Sequence, residues 1–161
     1  MCVQIANYKN NINNAIPVIS VLIMTLFSHF VYPGYDVFIG DHKVYIPTIL
    51  QKLNQGLFPD DIFLSAAQQS FSLFDELVVF IIKTSGVSLF KVLFYISLTL
   101  RFIFLYTIYK LSMYLAKDKI LSLFLVIFFC LALTKVGSLN HYVLSRSFGI
   151  VLGLLSLTLY F

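Results

Sequence analysis

The chain has 161 residues, of which 60% are hydrophobic and only 11% charged, and its mean hydropathy is +0.92. That balance argues against an ordinary soluble domain and predicts an all-α integral membrane protein. The net charge of +4 is scattered rather than gathered in a patch, so nucleic acid is not an expected partner.

Residues 1–14 are polar and asparagine-rich ("NYKNNINN"), with Lys9 their one charge. "AIPVISVLIMTLFSHFVY" (15–32) then runs 18 residues without a formal charge, close to the roughly 20 needed to cross a hydrocarbon core. No small-x-small cleavage site follows, so a retained span is expected rather than a signal peptide. Tyr32 and Tyr35 suit the aromatic belt of a membrane interface.

The segment 33–86 holds six of the seven acids: Asp36, Asp41, Asp60, Asp61, Asp75 and Glu76. So long a loop is unusual without structure of its own, and its pattern predicts short helices along the membrane surface. Apolar residues recur at Tyr45, Ile46, Ile49, Leu50, Leu53 and Leu57, with Gln51, Lys52 and Asn54 opposite. Pro47 fits a first turn, and Asp41 falls at or just before the helix start. Gln55–Gly56 is expected to end this helix, and "FPDD" to begin another with Asp60 or Asp61 as cap. "SFSLFDE" offers a third start, in which Ser72 with Asp75 or Glu76 resembles a capping box. Helix capping explains most of the acids, and Asp36 after "YPGY" reads as a turn residue.

Further spans are predicted at 87–109, at 120–136 and at 148–161, which makes about four with the first. The final apolar run of fourteen residues rises only about 21 Å. The chain is therefore expected to be one membrane domain, 1–161, from the N-terminal part of a longer polytopic protein. Lys110, Lys117 and Lys119 crowd the loop 110–119, and Lys9 precedes the first span. By the positive-inside tendency these sides are cytoplasmic, which puts 33–86 and 135–147 outside, most naturally at a plasma (inner) membrane. Two cations fall within the second span. Lys91, near its outer end, has a snorkelling route to the interface. Arg101, mid-span, costs roughly 2.5–3.5 kcal/mol on insertion scales and so demands a buried partner.

Asp41 is followed at once by His42, Lys43 and Tyr45, so an acid, a base, a cation and a phenol crowd one spot beside the bilayer. First span, acidic outer loop, surface helices, second span: this order resembles the GT-C superfamily of polytopic glycosyltransferases over roughly residues 15–110. In two branches of that family the first outer loop carries an Asp-Glu pair followed closely by a Tyr. "DHKVY" places Asp41 and Tyr45 at the family's Asp and Tyr, and departs from it with His42 in place of the Glu. The resemblance implies a polyprenyl-phosphate-linked sugar as donor on the extracytoplasmic side, and Asp41 as catalytic base. Glycosyl transfer needs such a carboxylate to take the acceptor's proton as the donor departs.

Tyr45 would then line the substrate site. His42 is open between an interfacial polar histidine and one that binds a divalent metal or positions the phosphate. Lys91, and Arg146 with His141 in "GSLNHYVLSR", are the cations and histidine placed to meet that phosphate. Two other classes stay open: a transporter or flippase using Arg101 and Lys91, and a non-catalytic polytopic component.

Overall fold

The computed structural model describes residues 2–30, 42–54, 56–57, 73–132 and 145–160. Among these the chain forms six α-helices and no strand: α1 (Cys2–Phe30), α2 (His42–Leu53), α3 (Leu73–Ser85), α4 (Leu89–Ala116), α5 (Lys119–Ala132) and α6 (Ser145–Tyr160). The expected apolar segments map onto α1, α4, α5 and α6. Of these, α4 is long and apolar enough to cross a membrane, whereas the apolar parts of the other three are shorter.

Helix α6 starts at Ser145 rather than 148, and boundaries differ from expectation in three further places. Helix α1 starts at residue 2 rather than 15 and runs unbroken through Pro17. Asparagine costs well under 1 kcal/mol per helical residue, so a helix already nucleated by its apolar part extends through such a sequence. Helix α4 continues past residue 109 to Ala116. The expected loop 110–119 shrinks to Lys117–Asp118, with Lys117 in the left-handed region (φ 54°) and its N–H on the Met113 carbonyl. Asp118 then caps α5, its Oδ1 accepting from the N–H groups of Ile120 (2.7 Å) and Leu121 (3.0 Å). Helix α2 spans His42–Leu53 and stops short of Leu57, because Asn54 turns the chain. Its Oδ1 takes the Gly56 N–H at 3.1 Å, and its carbonyl takes that of Leu57 at 3.0 Å. The start expected at "FPDD" lies outside the described residues.

The four long elements alternate in direction. Pro17 of α1 meets Tyr106 of α4 and Lys119 of α5 around one cavity, whereas Ser28, near the far end of α1, meets Arg101. Met24 of α1 meets Cys130 of α5, and α6 runs from Phe148 beside Phe74 to Thr158 beside Tyr114. Helix α4 is the hub, packing against α1, α3, α5 and α6, while α2 touches α3 alone among the described elements. The α4–α5 connection and the end of α6 thus share one end of the bundle. Helices α2 and α3 and the start of α6 share the other.

Polar and apolar side chains share the core of this bundle, while large apolar side chains also face outward. The buried face of α1 carries Val21, Thr25, Ser28 and His29, and the buried faces of α4 and α5 include Ser97, Arg101, Thr107, Ser112 and Ser122. Outward go Ile16, Ile19, Ile23, Phe27 and Phe30 on α1, with Leu121, Phe124, Phe128 and Leu131 on α5. A water-soluble bundle does the opposite. The buried hydroxyls are satisfied locally: Thr25 and Thr107 each donate to the carbonyl four residues back, at 2.8 and 2.7 Å.

Candidate functional site

The expected site residues are dispersed. Asp41 and His141 lie outside the described residues. His42 is the first residue of α2 and Arg146 the second of α6, both placed by backbone alone. Tyr45 is half-buried on α2, and Lys91 is exposed in the first turn of α4. No contact joins α2 to α4 or α6 among the described elements, so Tyr45 and Lys91 are linked only through α3. Lys52, in the last turn of α2, pairs with Glu76, in the first turn of α3, at 2.7 Å. With Glu76 61% exposed, this pair adds no more than about 1 kcal/mol. Ten residues of helix place the His42 backbone roughly 15 Å along α2 from that link.

Beside Glu76 sits a group the sequence did not reveal. Asp75 reads as a helix-capping acid, but its residue is 0% exposed and neither carboxylate oxygen has a hydrogen-bond partner among the described residues. It lies on the α3 face that carries Val78, Val79 and Ile82 into the core. Burial pushes its carboxyl up to about 6; Lys52 pulls it down and Glu76 pushes it further up. The three-to-four-residue spacing of Asp75 with Val78 and Val79 was the available signal, masked by the favourable position of an acid in a first turn.

Between α3, α4 and α6 runs a groove of about 420 Å³, lined by Leu77, Ile81, Tyr95, Thr99, Phe148 and Leu155 among others. Its walls are almost wholly apolar, with Ser85, Tyr95 and Thr99 their polar members. From Val92 to Ile103 it follows α4 for roughly 16 Å. Lys91 is the immediate neighbour of Val92 and lies four residues before Tyr95 on α4, so it stands beside the end of the groove nearest the start of α4, without lining it.

Arg101 has the buried partner its position demands. Its side chain is 6% exposed, and Nη1 donates to the Ser28 carbonyl in the last turn of α1. The final carbonyls of a helix lack partners of their own and carry partial negative charge, so α4 supplies α1 with a cationic cap. Next to it, the His29 ring meets Phe94 edge-on at 5.0 Å, and the Cys130 thiol donates to the Met24 carbonyl at 3.6 Å. No three His, Cys, Asp or Glu side chains gather to hold a metal among the described residues.

No family model, curated protein or solved structure matches this chain. The site is therefore interpreted from its own residues.

Proposed function

We propose that the chain is a multi-pass membrane protein in which α1, α4, α5 and α6 cross the bilayer, with α2 and α3 on the extracytoplasmic surface. We propose further that it is a GT-C-like glycosyltransferase module acting on a polyprenyl-phosphate-linked sugar at that surface. Outward apolar side chains on α1 from Ile16 onward and on α5, with hydroxyls and Arg101 packed within, support the membrane reading. The groove carries the lipid reading. It is an apolar trench with Lys91 beside its end at the start of α4, which suits an isoprenoid chain topped by a phosphate.

In this reading Asp41 accepts the proton of the acceptor hydroxyl. The hydroxyl oxygen forms its bond to the sugar's anomeric carbon, and the bond from that carbon to the phosphate oxygen breaks. Polyprenyl phosphate leaves with the electron pair, its charge met by Lys91 and Arg146. Tyr45 and His42 hold the sugar by hydrogen bonds. A transporter reading is weaker, because Arg101 is engaged in joining α1 to α4 rather than standing along a path.

A photoactivatable polyprenyl phosphate is the test. It is expected to label α3, α4 or α6, and Thr99→Trp, which fills the groove, is expected to reduce labelling. Asp41→Asn is expected to keep labelling and abolish product. Labelling indifferent to Thr99→Trp removes the groove from the reaction.

A further inference from the structure

The opposite end of the bundle carries a second cavity that glycosyl transfer does not use. It also measures about 420 Å³, within the range of small-ligand sites, and lies where α1, α4 and α5 meet. Its walls include Lys110 and Lys119, the phenols of Tyr106 and Tyr109, and the apolar Pro17 and Met113. The Lys110 ammonium lies over the Tyr106 ring, 5.6 Å from its centre, so the ring holds the cation against the cavity wall. Tyr106 is in turn stacked on Phe102 at 5.9 Å. The one acid in the adjoining connection, Asp118, is committed to the amides of Ile120 and Leu121. Two lysines and two tyrosines therefore line one pocket, with no acid among its described lining residues.

We propose that this cavity binds the phosphate head group of an anionic phospholipid on the cytoplasmic side, with Lys110 and Lys119 as its cations. The chemistry recognised is a phosphate ester, and three observations favour a lipid over a soluble phosphate. Lys119 opens α5 and Lys110 lies in the last two turns of α4, at the bundle end that the membrane reading places near the head groups. The wall continues into Val18, which is 40% exposed, and on to the outward apolar face of α1, along which acyl chains can pack. Lys117, one turn away, adds positive field without lining the cavity. The proposal rests on the membrane reading above, although not on glycosyl transfer.

The test reconstitutes the whole chain in phosphatidylcholine bilayers and measures its preference for spin-labelled phosphatidylglycerol over spin-labelled phosphatidylcholine. A head-group site predicts a preference of roughly fivefold per lysine. Lys110→Gln with Lys119→Gln is expected to abolish it, and Lys110→Arg to keep it. Lys117→Gln is expected to change it far less. Equal losses from all three lysines would mean surface charge only, and would overturn the site. Displacement of the labelled lipid by millimolar inorganic phosphate would reassign the site to a soluble ligand. Extraction of the chain from membranes by alkaline carbonate would sink the membrane reading and this site together. Stable integration without lipid preference would sink the site alone.

Discussion

Asp75→Asn probes the least expected feature of the fold. The wild-type carboxyl is buried, unbonded among the described residues, and raised from 3.8 to about 6. At about 1.4 kcal/mol per pH unit, a rise of that size corresponds to roughly 2–3 kcal/mol. The sign follows from linkage. Below pH 4 the acid is neutral whether the chain is folded or unfolded, and burial carries no charge penalty. Between pH 4 and 6 the unfolded chain ionises first, so stability falls as pH rises; above 6 the loss is complete. Asparagine also leaves a buried amide in need of partners, but that cost is the same at every pH and cancels when slopes are compared. Unfolding in mixed micelles, followed by near-UV circular dichroism of the ten tyrosines, gives stability from pH 4 to 7.5. Wild type is expected to lose roughly 2–3 kcal/mol more than Asp75→Asn over that interval. Parallel pH profiles would refute the reasoning, and a wild type that gains stability with pH relative to Asp75→Asn would show Asp75 ion-paired.

Three further outcomes are expected. Arg101→Leu leaves the Ser28 carbonyl without its cationic donor and should cost about 1–3 kcal/mol in the same unfolding assay, with Arg101→Lys retaining part of it. Gly86 has φ +68° and open space where a Cβ would stand, so Gly86→Ala should cost about 1–2 kcal/mol from backbone strain alone. Asp118→Ala removes the cap of α5 and should cost about 1 kcal/mol, with faster amide exchange at Ile120 and Leu121.

The helices were legible where one physical pressure dominates. Long apolar runs marked α4 and the cores of α1, α5 and α6, and a single apolar stripe marked α2. Lys110 hid the last turns of α4, because a lysine at a helix end reads equally as a stop or as a stem running along it. The partner of Arg101 is a backbone carbonyl of α1, and a backbone atom has no sequence signature. The groove is built from α3, α4 and α6 together, so no local pattern encodes it. Asp75 does fall in the first turn of α3, but its burial was not legible, because a first-turn acid is favourable for the helix alone and only the packing of α3 removes it from water. Asp41 and Tyr45, picked out by local crowding, were visible as residue types, but their spacing carries no information about what approaches them.

Sidedness is the measurement to make first. In a Cys2→Ser, Cys130→Ser background, His42→Cys and Lys117→Cys are each treated in intact cells with a membrane-impermeant thiol reagent. The proposed outward helical loop predicts labelling at position 42 and none at 117, which the same proposal puts on the cytoplasmic side. Labelling at 117 and not at 42 would put Asp41 on the wrong side of the membrane for a polyprenyl-linked donor and contradict the transferase reading.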